Sequence, residues 1–149
     1  MLKTRLLHPQ MLAALGAAGH GARLLIADGN YPLLTRSSAT ARRVYLKLSP
    51  GMVTVSDVLD VLVDSVPIEA ADVMTTDSGD EPAIVADFRA LLPGMPLQPH
   101  ASADFYEMAR GPDVALAVST GDERTYANVL LTIGVREPLA PTPGRPPAS

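Results

Sequence analysis

The sequence predicts an α/β protein in which helices pack on a central sheet. Two runs of apolar residues, 23–28 and 114–119, are nearly unbroken, which is typical of strands covered on both faces. Segments with the apolar spacing of helices are interleaved with the strand candidates along the chain, as they are in α/β folds. A length of 149 residues corresponds to about one domain.

The first predicted helix covers residues 9–18. Its larger apolar side chains share one face, and Pro9 lies in the first turn, where a missing N–H is harmless. The apolar run 23–28 follows as the first predicted strand and ends at a carboxylate. Residues 28–32 contain Asp, Gly, Asn and Pro, all of them turn-forming residues, so a turn is predicted directly after this strand.

The next three elements are predicted from alternation, capping and apolar content. Residues 43–48 alternate between polar and apolar side chains, as a half-exposed strand does. A helix is predicted at residues 56–64, with Ser56 as its N-cap and an acidic residue in its first turn. Residues 67–74 are predicted to form a third strand.

The second half of the chain contains two helices and two strands. Helices are predicted at residues 81–92 and 102–110, each followed by a Pro-Gly or Gly-Pro pair that ends it. Strands are predicted at 114–119 and 128–135, which makes the expected order α-β-β-α-β-α-α-β-β. Residues 137–149 hold five of the 14 prolines and almost no apolar bulk, so we expect a flexible tail with no role in the fold.

The composition excludes several classes of function. The chain has no cysteine, which excludes a disulfide scaffold, a thiolate metal site and a cysteine nucleophile. Twelve basic and 16 acidic residues leave a net charge of −4 with no basic stripe, so nucleic acid is not an expected partner. No apolar stretch approaches the ~18 residues of a membrane span, and the N-terminus lacks a continuous apolar segment. We therefore expect a cytoplasmic protein that does not contact a membrane.

Three polar clusters are candidates for a binding site, because ligands of α/β sheets collect where the strands end. They are His20 between two glycines, residues 28–30 after the first strand, and residues 120–128 before the last strand. Each has a simpler explanation: a surface histidine, an Asx turn formed by Asp28, and the entrance of a strand at Asn128. Asn is a poor strand former, however, so the amide of Asn128 also suits the binding of a ligand. A histidine titrates near neutral pH, so His20 also suits a site that transfers protons.

The distance between His20 and Asp28 constrains any site that they share. An extended strand over residues 22–27 would separate them by about 20 Å. They can meet in one pocket only if the strand is shorter or bent, or if two subunits contribute. The second possibility predicts a site at a subunit interface.

Several short motifs follow one another along the chain: Gly19-His20-Gly21, the strand that closes on Asp28, Tyr31-Pro32, Phe105-Tyr106-Glu107, and residues 120–128 running into the last strand. Together they resemble the D-ribose pyranase and L-fucose mutarotase family over residues 1–136, which would form a single domain. The resemblance implies a three-layer α/β/α fold with a mixed, mostly parallel sheet. It also implies closed homo-oligomeric rings, commonly decamers, whose sites lie between neighbouring subunits.

The resemblance further implies an isomerase that needs no cofactor and no metal and that interconverts ring forms of free monosaccharides. His20 would be the catalytic acid and base, Asp28 would bind the sugar, and Tyr126, Ala127 and Asn128 would contact its hydroxyl groups. Mutarotation requires only proton transfer, for which a histidine near pKa ~6.5 and positioned hydrogen-bonding groups suffice.

The sequence departs from the family pattern at two places. Ala22 stands where many members carry an acid. A basic or histidine ligand is expected shortly before the Phe-Tyr pair, where His100, Ser102 and Asp104 are the polar residues, and the chemistry of the ligand favours His100 as a substrate-binding residue.

The substrate stays open between two sugars. Phe105-Tyr106-Glu107 is closer to the fucose branch, and Ala127 between Tyr126 and Asn128 is closer to the ribose branch. We expect an L-fucose mutarotase first and a D-ribose pyranase second. The missing acid at Ala22 keeps a third alternative, a sugar-binding subunit without catalysis.

Overall fold

The computed structural model contains one six-stranded sheet and four helices, and it describes residues 1–140, 143 and 144. In chain order the elements are α1 (Pro9–Ala17), β1 (Arg23–Ala27), β2 (Arg42–Tyr45), α2 (Val55–Leu62), β3 (Ile68–Met74), α3 (Val85–Leu91), β4 (Leu97–His100), α4 (Ser102–Ala109), β5 (Val114–Ser119) and β6 (Val129–Ile133). Within these described residues, no helix has the length and apolar character needed to cross a membrane.

The sheet is mixed and mostly parallel. Its strand order is β2-β5-β1-β6-β3-β4, and β6 runs antiparallel to both of its neighbours, whereas all the other pairs are parallel. The carboxyl ends of five strands and the amino end of β6 therefore lie at one edge, which we call the carboxyl edge. The opposite edge is the amino edge. The segment before β6 consequently meets the segment that follows β1.

Helices and loops cover both faces of the sheet, so the fold has three layers. On one face, Leu24 and Ile26 of β1 pack with residues of α1, α2 and α3. On the other face, Leu25 and Ala27 pack with α4 and with the 28–41 segment. This confirms the expected α/β/α architecture and explains why β1 consists almost entirely of apolar residues.

The structure corrects the predicted element order by adding β4. The segment Leu97–His100 has no alternating apolar pattern, and Pro99 argues against a strand in the middle of a sheet. Because β4 lies at the end of the strand order and pairs only with β3, Pro99 can lack an N–H without interrupting a ladder on a second side.

Two helices begin at different residues from those predicted. The N-cap of α2 is Thr54 rather than Ser56, because Thr54 and Asp57 form a capping box in which each side chain accepts from the other residue's backbone N–H. Helix α3 begins at Val85 rather than at residue 81, since the residues after Pro82 form turns first. The predicted tail begins at residue 137, its described residues up to 140 are exposed and outside helices and strands, and residues 141–142 and 145–149 lie outside the described part.

A polar network ties the segment before β6 to two helices. Buried Asp122 accepts from the backbone N–H of Val55 at 2.9 Å, which satisfies a free donor at the start of α2. Arg124 donates to Asp122 at 2.7 Å and to Asp87 of α3 at 2.8 Å. Burial alone would raise the pKa of Asp122, but the hydrogen bonds from Arg124 and the backbone N–H groups outweigh it and lower that pKa.

Replacing Asp122 with Asn should therefore lower the free energy of unfolding by about 2 kcal/mol at pH 7, since hydrogen bonds to charged groups contribute ~1.5–3 kcal/mol each. Because folding depresses the pKa of Asp122 below its ordinary 3.8, the wild-type gain is complete above pH 3.8 and is lost as the pH falls through the lower native value. Urea unfolding at fixed protein concentration, from pH 7 down to pH 3, should show this loss in the wild type and a smaller one in the variant.

The matched control is Asp60→Asn on α2, the helix whose first turn Asp122 contacts. This substitution removes an exposed partner of Arg5. Exposed ion pairs contribute about 0–1 kcal/mol, so this variant should stay within that range. Equal effects of the two substitutions would contradict the role assigned to Asp122.

Candidate functional site

A cavity of about 330 Å³ opens at the carboxyl edge of the sheet. Its walls include residues from the 28–31 turn, from α4 and from the segment before β6: Asp28, Tyr31, Ser102, Tyr106, Tyr126 and Asn128. The antiparallel direction of β6 explains this grouping, because it brings Asn128 beside Asp28 although 100 residues separate them. The cavity therefore contains three of the predicted site residues.

The carboxylate of Asp28 organises the turn that follows β1. Its Oδ1 accepts from the backbone N–H groups of Asn30 and Tyr31, both at 2.9 Å. This is the Asx turn expected from the Asp-Gly sequence. Oδ2 accepts from the backbone N–H of Ala127 at 3.1 Å, so the same side chain also holds the segment before β6. The structural explanation of Asp28 is thus correct, and it coexists with a position on the cavity wall.

Asn128 completes a reciprocal pair with Asp28. Its Oδ1 accepts from the backbone N–H of Asp28 at 2.8 Å, and its Nδ2 lies 3.8 Å from the sulfur of Met74. Sulfur is a weak acceptor, and an amide nitrogen carries two hydrogens. Asn128 therefore keeps donor capacity on a wall of the cavity, and Ala127 contributes its backbone rather than its small side chain.

Burial changes the acidity of Asp28. The loss of hydration, the largest influence, raises the pKa of the carboxyl above its ordinary value, and the N–H donors of Asn30, Tyr31 and Ala127 oppose this rise. Only 3% of the residue is exposed; Oδ1 accepts from two backbone N–H groups, whereas Oδ2 accepts from one and keeps a further lone pair. Such a carboxylate is suited to accept a hydrogen bond from a ligand hydroxyl group.

Tyr126 has an unusual backbone conformation. Its φ of 58° lies in the left-handed region, which is rare for residues other than glycine and costs about 1–2 kcal/mol. The conformation directs the chain from the Asp122–Arg124 network into β6 and brings Tyr126 onto the cavity wall. Strained backbone of this kind is frequent at ligand sites.

Aromatic side chains form another wall. The ring of Tyr31 packs edge-on against Phe105 and Tyr106, with centroids 6.3 and 5.3 Å away. The Tyr31 hydroxyl donates to the carbonyl of Arg36 at 2.7 Å, and burial raises its pKa above the ordinary value. The guanidinium of Arg36 lies over the Tyr106 ring at 5.4 Å. The 28–41 segment and α4 are thereby held together as one rigid side of the cavity.

His20 lies at the amino edge, away from this cavity. It precedes β1, whereas Asp28 follows that strand, so the chain gives them the separation of about 20 Å expected of an extended strand. Its side chain is 58% exposed, and Nε2 lies 3.1 Å from both carboxylate oxygens of Glu69. A wide depression of about 990 Å³, which Arg42 and Asp113 also line, surrounds it.

His100 ends β4 and pairs with a buried acid. Its Nε2 lies 2.7 Å from Oδ1 of Asp72 on β3, and its strand partner Met74 lines the cavity. Ser102, rather than His100 or Asp104, is the residue of that region on the cavity wall. The assignment of His100 to substrate binding stays a prediction.

The cavity also contains Met74 and Asp77, which the sequence did not single out, whereas Asn30 and Thr125 belong to two of the candidate polar clusters. Met74 and Asp77 follow from the topology, because the loop after β3 reaches the same edge as the turn after β1. The one available signal was the rule that ligands collect at the ends of parallel strands, which applies to β3 as well. Glu69 beside His20 had no signal in the linear sequence.

The groups around the cavity suit a small polyhydroxylated ligand. A carboxylate, an amide and tyrosine hydroxyls offer acceptors and donors, and the aromatic rings offer apolar faces. In the described part of the chain, no group of three His, Cys, Asp or Glu residues is placed to hold a metal ion.

Comparison with known proteins gives this geometry a context. The model of the RbsD / FucU transport protein family matches residues 1–136. A D-ribose pyranase from Symbiobacterium thermophilum is 33% identical over 135 residues, which cover 91% of this chain and 98% of that protein.

Two solved structures have a similar fold. Bacillus subtilis RbsD, complexed with D-ribose, superposes with a TM-score of 0.80 at 21% identity, over 92% of this chain and 100% of that one. The fucose mutarotase from Streptococcus pneumoniae, in complex with L-fucose, superposes with a TM-score of 0.76 at 26% identity, over 91% of this chain and all of the other. By its match over residues 1–136 and its relatives, the chain belongs to the RbsD / FucU family, which includes the isomerases D-ribose pyranase and fucose mutarotase.

Proposed function

We propose that this protein interconverts anomers or ring forms of a free monosaccharide. The observation that carries the proposal is the cavity at the carboxyl edge, where Asp28 and Asn128 hold each other in place and keep hydrogen-bonding capacity for a ligand. Membership of a family that includes a D-ribose pyranase and a fucose mutarotase supports a sugar as that ligand.

The proposed mechanism moves one proton from the anomeric hydroxyl to the ring oxygen. His20 removes the hydroxyl proton as the bond between C1 and the ring oxygen breaks, and the ring oxygen receives a proton. The open sugar carries an aldehyde at C1, so rotation about the C1–C2 bond and reclosure give the other anomer. Asp28, Asn128 and Tyr126 bind the remaining hydroxyl groups and hold the sugar in a reactive orientation.

A complete site in this mechanism needs two copies of the chain. His20 and the cavity lie at opposite edges of the sheet, so His20 of one subunit would face the cavity of a neighbour. Exposed apolar side chains on the edge strand β2 and on the segment after it support such an assembly: Tyr45, Leu48 and Met52 are 55%, 81% and 51% exposed. Apolar groups of this size are commonly covered in an oligomer. In a closed ring, for which a decamer is the proposed size, every subunit makes the same contacts, so each cavity would receive His20 from a neighbour.

The sugar is proposed in order of preference. L-Fucose comes first, because Phe105-Tyr106-Glu107 resembles the fucose branch and its first two residues belong to the aromatic wall. D-Ribose comes second, and the identity of 33% to a D-ribose pyranase supports it. The third alternative is a protein that binds the sugar without turnover, and saturation-transfer NMR distinguishes it from an isomerase.

Saturation-transfer NMR on equilibrated L-fucose and D-ribose should show faster exchange between ring forms of one sugar when the protein is added. Replacing His20 with Ala should lower the added rate by about 10²–10⁴-fold, which is the usual contribution of a general acid and base. The matched control is His8→Asn, which removes an imidazole but keeps a side-chain acceptor for the first turn of α1.

Two results would contradict the catalytic proposal. One is line broadening of the sugar signals without faster exchange, which would indicate a sugar-binding subunit. The other is an unchanged exchange rate in His20→Ala.

Replacing Tyr126 with Phe should weaken sugar binding about 5–10-fold without changing the melting temperature. The substitution removes one hydroxyl group, whose hydrogen bond contributes ~0.5–1.5 kcal/mol, and leaves the ring in place. Titration calorimetry with the sugar identified above measures the affinity, and the control is Ser65→Ala, which removes an exposed hydroxyl group outside the cavity. Equal affinities of the two variants would exclude the Tyr126 hydroxyl from sugar binding.

Mixed oligomers test the origin of the two halves of the site. His20→Ala and Asn128→Asp should each be inactive alone, but subunits exchanged at equal amounts should regain about a quarter of the wild-type sites, because that fraction of interfaces pairs two intact halves. Activity that stays at the level of the single variants after verified subunit exchange, or full wild-type activity in a particle of monomer mass by light scattering, would refute the inter-subunit site.

A further inference from the structure

His20 has a carboxylate partner that is distant in the sequence. Glu69 lies 49 residues further along the chain, at the beginning of β3, and both of its carboxylate oxygens are 3.1 Å from Nε2 of His20. The two side chains are about half exposed, at 58% and 45%. Flexible surface carboxylates seldom keep one partner, so the local backbone must explain why this one does.

An irregularity in β3 directs Glu69 toward His20. Ile68 pairs with Ile133 and Ala70 pairs with Thr132, so β3 contains one residue more than β6 between these pairs. Glu69 is that extra residue. A β-bulge of this kind turns a side chain out of the regular alternation, and bulges are enriched next to active sites.

Gly134 provides the space into which the Glu69 side chain fits. A Cβ atom at position 134 would lie 3.1 Å from the Cβ and 3.5 Å from Oε2 of Glu69. Any other residue there would crowd the Cβ atom of Glu69, which would have to move by a few tenths of an ångström. The absence of a side chain directly after β6 therefore permits the observed contact.

The same strand end also anchors His20. The backbone N–H of Gly21, whose φ of 84° suits glycine, donates to the carbonyl of Ile133 at 2.9 Å. The N–H of Gly134 donates to the carbonyl of Pro67 at 2.9 Å, just before β3. His20 and Glu69 are thus both attached to the end of β6, which fixes their separation independently of the long loops between them.

This contact determines which ring nitrogen of His20 carries the hydrogen. An ionised carboxylate can only accept, so Nε2 must donate, and in the neutral ring Nδ1 is then the basic nitrogen. Nδ1 is also the nitrogen that Glu69 leaves free. When Nδ1 takes the anomeric proton, the resulting imidazolium already has a counter-charge at 3.1 Å.

We infer that Glu69 is a positioning residue for His20, which holds the ring as its Nε2–H tautomer and presents Nδ1 to the sugar. The inference rests on the proposed function, in which His20 exchanges protons with the substrate. It adds a role for a residue on β3 that neither the sequence motifs nor the cavity at the carboxyl edge includes.

The test combines turnover with a spectroscopic observation of the ring. In Glu69→Ala, the exchange rate at saturating sugar should fall about tenfold, a part of the 10²–10⁴-fold effect of a general acid and base, while KM stays within about twofold. Nitrogen-15 NMR of His20 should change from a single Nε2–H tautomer to a mixture. Glu69→Asp, with a carboxylate on a shorter side chain, should recover part of the rate and of the tautomer preference.

Glu81→Gln is the matched control, because Glu81 forms an exposed ion pair with Arg89 away from His20. It should change neither the rate nor the tautomer. The inference is overturned if Glu69→Ala keeps both the wild-type rate and a single tautomer, or if its loss appears only in KM, while His20→Ala is inactive. If His20→Ala keeps full activity, the proposed function fails instead, and the NMR spectrum still reports whether Glu69 controls the ring.

Discussion

Two hydrogen bonds connect the turn after β1 with the segment before β6 at the candidate site. Asp28 accepts from the backbone of Ala127, and Asn128 accepts from the backbone of Asp28. Both bonds are buried, where a polar group left without a partner costs about 1–3 kcal/mol. Neither segment can move without exposing the other to that penalty, so the turn after β1 and the entry to β6 behave as one unit. The cavity, the aromatic wall and the Asp122 network are all built around this unit.

Because β6 is antiparallel to β1, its two ends lie beside the two groups of candidate site residues, at opposite edges of the sheet. The amino end of β6 lies at the carboxyl edge with Asp28, and its other end holds the backbone of Gly21 at the amino edge. One five-residue strand thus connects Asn128, which precedes it at the cavity, with the backbone beside His20 at its other end. In the proposed function these two edges carry the two halves of one site, which an association of copies would join.

The parts that could be predicted depend on short-range patterns. The apolar runs of β1 and β5 and the turn at Asp28 are local signals, and Asn128 drew notice as a poor strand former just before an apolar run. The edge strand β4 was missed because an edge strand with Pro99 needs no alternating pattern. Glu69 could not be found, since a bulge is a mismatch between two strands and does not exist in either strand alone. The role of His100 in substrate binding rests on its chemistry alone and stays a prediction, whereas the direction of the chain into α4 brings Ser102 to the cavity.

The left-handed backbone at Tyr126 has a consequence for how this protein would respond to selection. A glycine or asparagine at that position would relieve about 1 kcal/mol of backbone strain, which is appreciable in a fold whose total stability is typically ~5–15 kcal/mol. With the proposed role of Tyr126 in sugar binding, selection for heat resistance and selection for sugar turnover would act on this residue in opposite directions. A library screened only for survival at high temperature would be enriched in small residues there, whereas one screened for growth on the substrate sugar would keep the aromatic ring. The frequency of aromatic residues at position 126 in the second screen, relative to the first, measures how much the ring contributes to growth on the sugar.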